Sequence, residues 1–238
     1  MENAITGEDV AVRIARLTRE RRGGLDYPDE VRRLLAAAVE VMRNCGIASR
    51  PRVADIVATA GLSNEAFYRH FPSKEALVEA LLDDGAQQLG SYLAHQMAKE
   101  PSPRAQVRRW IEGVMSQANE EVAATTLAVL WNGGTGGKGL ASGRHFASSP
   151  LATLLREPLA ALGCADPETD ASLVSHAILG KLSDYLWKHT QPTQAEIEHM
   201  TTFCVAAATV TTEGHGHAGI AEGSEATELI GANEGGEA

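Results

Sequence analysis

The chain has few cysteines, no long apolar run and no recognisable catalytic set. Its three cysteines, Cys45, Cys164 and Cys204, are far apart and form no CxxC pair. An odd, scattered set excludes a disulfide framework, and reduced, buried thiols are expected. No run reaches the roughly 18 apolar residues of a membrane-spanning helix. The opening Met1-Glu-Asn-Ala-Ile-Thr lacks the basic-then-apolar order of a secretion signal, so a cytoplasmic location without membrane contact is expected. No Ser/His/Asp set, carboxylate pair or metal-ligand spacing stands out, so neither enzyme activity nor a cofactor or metal is expected. His215-x-His217 has no further ligands beside it.

Two apparent signals dissolve on inspection. Gly134-Thr-Gly136-Gly-Lys-Gly139 fits GxGxxG formally, but it follows a helical stretch rather than a strand. A phosphate-binding P-loop also fails, because Asn132 and Gly139 occupy positions that need Gly and Ser/Thr. The stretch 132–149 is read as a loop at a pocket edge. The net charge of -10 is unevenly placed. Residues 1–78 hold 12 basic and 11 acidic residues, and the remainder holds 9 and 20. The local field decides affinity for a polyanion, not the total.

What is present is helical periodicity, on 44% hydrophobic residues over 238 positions. Residues 1–25 read as a basic arm: within 13–22, Arg13, Arg16, Arg19, Arg21 and Arg22 stand against one acid, Glu20, with Val10, Ile14 and Leu17 hinting at a partial helix. Two readings stay open for it, a DNA-contacting arm and a solvated extension. A helix over 28–44 buries Val31, Leu34, Leu35, Ala38, Met42 and Cys45. Lys74 to Met97 forms one helix of about 36 Å. Later helices place Val107, Trp110, Ile111, Val114, Met115 and Ala118 inward. A helix opening at Pro150 is kinked or split by Pro158. The next, to Lys188, is read with Leu173, Ala177, Leu182 and Tyr185 inward. The last buries Ile197, Met200, Cys204 and Ala207. Apolar residues off these stripes, Val174, Ile178, Leu186, Phe203 and Val205, suggest a subunit interface. The tail 213–238, with six Glu, seven Gly and no Lys or Arg, is expected to be disordered.

The organising stretch is Arg52 to Leu77. Val53, Ile56, Val57 and Ala60 share one helix face, Gly61 suits a left-handed turn, and Ser63 can cap a second short helix. Pro72 stops that helix and Ser73 caps the next. In a helix-turn-helix, the second helix enters the DNA major groove with its N-terminal residues on base edges. Asn64 can pair with adenine, Glu65 can accept from cytosine, and Ser63 either caps or reaches the DNA. Arg50 and Arg52 are candidate phosphate contacts, and Arg69 lies outside with Tyr68.

Gly61-Leu-Ser-Asn-Glu-Ala-Phe-Tyr68-Arg-His70-Phe71-Pro-Ser73-Lys74-Glu-Ala-Leu77 resembles the signature of the TetR family of transcriptional regulators. The resemblance covers residues 29–80, and beyond them the chain is similar only in being helical. It implies an all-α protein. A three-helix DNA-binding domain over residues 26–75 would precede an effector-binding and dimerisation domain over 76–212. It also implies backbone contacts from Tyr68, His70 and Lys74. Further implications are a homodimer through the last two long helices and double-stranded DNA with a near-palindromic operator as partner. The function expected is a repressor released by a small, mostly apolar effector. Trp110, Met115, Trp131, His145, Phe146, Tyr185 and Trp187 are candidate pocket residues, each with core packing as the alternative. An effector-independent architectural factor of the same fold is the competing reading.

Overall fold

The computed structural model describes residues 9–22, 28–134 and 150–210. Among them there is no strand. The elements are α1 (Val10–Arg22), α2 (Pro28–Cys45), α3 (Val53–Ala60), α4 (Asn64–His70), α5 (Lys74–Met97) and α6 (Pro103–Met115). A 3₁₀ turn (Ser116–Ala118) leads into α7 (Glu120–Gly134), α8 (Pro150–Thr153), α9 (Arg156–Ala161), α10 (Pro167–Lys188) and α11 (Gln194–Val210). The all-α expectation holds.

Local chemistry sets these boundaries. Asp9 Oδ1 accepts from the amides of Ala11 (2.7 Å) and Val12 (3.3 Å), starting α1. Ser63, Ser73 and Ser102 cap α4, α5 and α6 through their hydroxyls, each satisfying an amide that lacks a helical partner. Pro103 and Pro167 sit in the first turns of α6 and α10, where a missing N–H costs nothing. A reciprocal Thr193–Glu196 pair opens α11.

Two apolar cores form. One gathers Val31, Leu34, Met42, Ile56, Phe67, Phe71, Leu77 and Leu81, with Ala128 reaching in from α7. The other gathers Leu93, Met97, Trp110, Ile111, Val114, Leu155, Leu159, Ile178 and Leu186 from the later helices. α5 belongs to both: its first half packs in the first core, its second half in the other.

Several sequence expectations need correction. Residues 10–18 are not a free arm: Val10, Ala11 and Ala15 are buried in the first core while Leu17 faces out. α7 continues into the stretch read as a loop, and Asn132 is a buried residue of its last turn, donating from Nδ2 to the Ala128 carbonyl at 2.8 Å. The split near Pro158 falls earlier, between Thr153 and Arg156. A proline displaces the carbonyl four residues before it, here that of Leu154. On α10 the inner face is Ala171, Val174, Ile178, Leu182 and Leu186, whereas Leu173 and Ala177 are exposed. Polar residues mask this stripe. Asp170 and Ser175 lie within it, and Asp170 accepts from the Cys164 thiol at 2.7 Å. On α11 Ala208, not Ala207, is buried. Cys45 is half-buried. Burial pushes the Cys164 and Cys204 thiols up to about 11, so both stay protonated and unreactive near neutral pH. The tail 213–238 lies outside the described residues.

α5 and α6 meet closely at Gly113, where an added Cβ would stand 2.2 Å from Leu93 Cδ2. Leu93 is fully buried, so its side chain would have to shift within a packed core. Gly113→Ala should therefore destabilise the fold by roughly 1–3 kcal/mol, the usual cost of overpacking. Thermal denaturation followed by circular dichroism should show a lowered Tm; an unchanged Tm would mean that α5 and α6 can separate freely.

Candidate nucleic-acid interface

The site is built on α3, its turn and α4. Gly61 adopts φ 61°. Its amide donates to the Ala58 carbonyl, and that of Leu62 to Val57. This paired arrangement closes a helix through a left-handed residue, for which glycine is least costly. Two residues later Ser63 Oγ accepts from the Ala66 amide at 3.1 Å, and α4 begins. Ala66 and Phe67 point inward and are buried, the Phe67 ring packing on Phe71 with centroids 5.7 Å apart. That orientation leaves Ser63, Asn64, Glu65 and Tyr68 exposed along one side. Their placement suits an element that presents polar groups to base edges.

The neighbouring candidates are less free than the sequence suggests. Arg50 is exposed at the entry to α3. Arg52 is also exposed, but its Nε and Nη2 pair with both oxygens of Asp55, at 3.0 and 3.1 Å. That pairing holds the Asp55 carboxyl below its ordinary range. Lys74 donates to the Pro51 carbonyl at 3.3 Å, tying the start of α5 to the start of α3. Arg69 Nη1 lies 3.1 Å from Glu30 Oε2. His70 is corrected most plainly. It is only 2% exposed, and its Nε2 lies 2.9 Å from the same Glu30 oxygen. As the last residue of a seven-residue helix, it turns in toward α2 rather than out toward a phosphate.

Nothing in the sequence assigns Glu30, Arg33 or Asp55 to this site. Their partners are 27 to 40 residues away or belong to a pair that reads as ordinary surface charge. The spacing carried no signal for them.

The five effector candidates among the described residues do not share one wall. Trp110 and Met115 are core residues, and Trp110 Nε1 donates to the Leu151 carbonyl at 2.9 Å. Trp131 and Trp187 instead stack edge to face on the surface, with centroids 5.4 Å apart and exposures of 39% and 46%. Tyr185 donates its hydroxyl to Glu196 Oε1 at 3.0 Å. Burial, and then this contact, raise the phenol above its usual range. His145 and Phe146 lie outside the described residues. Among the described residues no group of His, Cys, Asp and Glu is placed to hold a metal ion, and no helix is long and apolar enough to cross a membrane.

The arrangement is that of a helix-turn-helix DNA-binding protein. Residues 34–81 match the family model described as bacterial regulatory proteins, tetR family, and this match supports a DNA-binding transcriptional regulator of that kind. Two solved structures share the fold. One is a proposed TetR-family transcriptional regulator from Mesorhizobium loti MAFF303099. It is 16% identical, with a TM-score of 0.56 over 79% of this chain and 98% of that one. Another is a proposed transcriptional regulator from Pseudomonas aeruginosa PAO1, 20% identical, with a TM-score of 0.54 over 82% and 97%. At these identities the likeness is one of fold. No curated protein sequence matches the chain.

The Arg52–Asp55 pair yields a prediction. Both side chains are solvent-exposed, so their attraction adds little to stability. Asp55→Asn removes an acid beside the DNA face and releases Arg52. Operator affinity should rise, and the slope of log K against log salt should steepen by about 0.9 for one added phosphate contact, with Tm unchanged. Fluorescence anisotropy across a salt series checks this; equal slopes would mean that Arg52 does not reach a phosphate.

Proposed function

We propose that the protein is a cytoplasmic, homodimeric repressor that leaves its operator when a small, mostly apolar molecule binds within residues 76–212. The observation that carries the reading is α5, one helix packed at its start in the DNA-reading core and at its end in the second core. A ligand favouring one packing of the far half shifts the population of head positions. The reading head is residues 26–75 together with the packed part of α1, whose basic residues add candidate phosphate contacts. Asn64 and Glu65 read bases, Ser63 and Tyr68 stand beside them, and Arg50 and Arg52 meet phosphates.

Dimerisation through α10 and α11 is supported by Leu173 and Phe203, each 61% exposed, with Ala177 and Ala207 also outward. Large apolar side chains turned to solvent on neighbouring helices suit a two-fold partner. Such a dimer pairs two heads on a near-palindromic operator. One observation favours the competing reading, an effector-independent factor: Trp110 and Met115 are packed as core, so two of the expected pocket walls are occupied by the protein itself.

The experiment is enrichment of bound duplexes from a randomised DNA pool by the full-length protein at low salt, followed by a panel of apolar metabolites. An enriched inverted repeat released by one compound class supports the proposal. Failure to enrich any sequence overturns it, and binding that no compound releases favours the effector-independent reading. On the enriched site, Asn64→Ala should cost about 1–3 kcal/mol and relax the preference at a single base pair. Uniform weakening across all sites would instead assign Asn64 to the backbone.

The interface generates a separate expectation. Leu173→Glu combined with Phe203→Glu should convert the dimer to a folded monomer in sedimentation velocity, with operator affinity lost. A dimer that survives both charges lies elsewhere.

A further inference from the structure

We infer that Glu30 and Arg33 of α2 are positioning residues that hold the recognition helix α4 at both ends, an inference that rests on reading α4 as the base-contacting element. The two residues are three apart on α2 and so lie on neighbouring parts of one face. Arg33 holds the entrance. Its Nε donates to the Ala60 carbonyl at 3.1 Å, and its Nη2 donates to Ala60 at 2.6 Å and to Gly61 at 3.1 Å. The turn's own amides satisfy Val57 and Ala58. Arg33 takes two further carbonyls, those of Ala60 and Gly61, at the negative end of α3. Glu30 holds the exit, where one oxygen, Oε2, meets Arg69 Nη1 at 3.1 Å and His70 Nε2 at 2.9 Å.

The need for such a clamp follows from the length of α4. A helix of seven residues is far below the roughly 12–15 at which isolated helices become even marginal. Burial of Ala66 and Phe67 fixes its depth, but apolar burial is non-directional. Hydrogen bonds are directional, so the clamps set tilt and rotation. Ser63, Asn64, Glu65 and Tyr68 all lie between the two holds. Arg33 is itself exposed, so its contacts add little to global stability and act on orientation. Gly61 reinforces the arrangement: a Cβ there would approach Arg33 Nη2 to 3.1 Å.

Rotation matters for base edges and much less for phosphates. Loss of a clamp should therefore reduce discrimination rather than general DNA affinity. The test measures binding of the full-length protein to its enriched duplex and to a shuffled duplex of equal composition. Arg33→Met should lower affinity for the enriched duplex about tenfold, the scale of one good base contact, with a far smaller change on the shuffled duplex and an unchanged Tm. Arg33→Lys, with one point donor in place of the fork, should recover only part of the loss. Glu30→Ala should lose discrimination, and Glu30→Gln, which keeps an acceptor oxygen, should regain most of it. Where Glu30→Ala fails to fold, Glu30→Gln and the Arg33 pair carry the test. Equal losses on both duplexes, or none, overturn the clamp. A wild-type protein that enriches no sequence overturns instead the functional reading beneath it.

Discussion

The fold depends on a helix too short to hold itself. α4 spans seven residues, and its position comes from its neighbours. Phe67 is fully buried and wedged against Phe71. Burying such a ring is worth about 1.5–3 kcal/mol, enough to anchor two turns of helix but not to orient them. The surrounding core is arranged for that anchor. Leu34, Met42, Ile56 and Leu77, all fully buried, come from three different helices. α1 closes the same core with Val10, Ala11 and Ala15. Two half-exposed ion pairs, Arg13–Asp83 at 3.1 Å and Asp9–Arg32 at 3.1 Å, join it to α5 and α2 and add little to its stability.

The same constraint shapes the link between the two cores. One helix spans both cores, so a displacement of α5 in the second core would be carried toward the first. Near its far end it is gripped: a Cβ on Gly90 would touch Pro150 and Leu151 at 3.6 and 3.7 Å, and Leu93 overlies Gly113. α7 places Leu127 in the second core and Ala128 in the first. The head is thus attached at two helices. On the proposed reading, a change in the second core would reach the head through α5 and α7, which favours a few discrete arrangements over continuous bending.

Much of this was legible in the sequence, for identifiable reasons. The stripe Val31, Leu34, Leu35, Ala38, Met42 and the set Val107 to Ala118 are strongly periodic and purely apolar, and they are buried as read. The Gly61 turn and the Ser63 and Ser73 caps are local, determined by a few adjacent residues. Reading failed where two faces compete. α10 carries apolar residues on both sides, and its true inner face includes Asp170 and Ser175, so periodicity favoured Leu173 and Ala177 instead. It failed again where burial depends on a distant partner. Nothing beside His70 in the chain announces Glu30, 40 residues earlier. The stretch 10–18 looked like an arm because its buried side is made of valine and alanine, which carry little signal next to five arginines.

Charge explains why orientation matters so much to this protein. The net charge is -10, and much of the basic charge in the head is already engaged. Arg13, Arg32, Arg52 and Arg69 face carboxylates, while Arg33 and Lys74 hold backbone carbonyls. Each such pairing weakens the field that a phosphate would feel at that point. Glu65 adds an acid to the exposed side of the recognition helix. Sequence-independent affinity for DNA comes chiefly from phosphate neutralisation, and on the proposed reading these pairings would lower it. Binding must then draw a larger share of its energy from correctly placed base contacts. A regulator in a genome competes against a vast excess of wrong sites, so the ratio of specific to non-specific binding decides occupancy. Committing arginines to the geometry of α4 rather than to phosphate, as the proposed clamp does, would lower total affinity and raise that ratio.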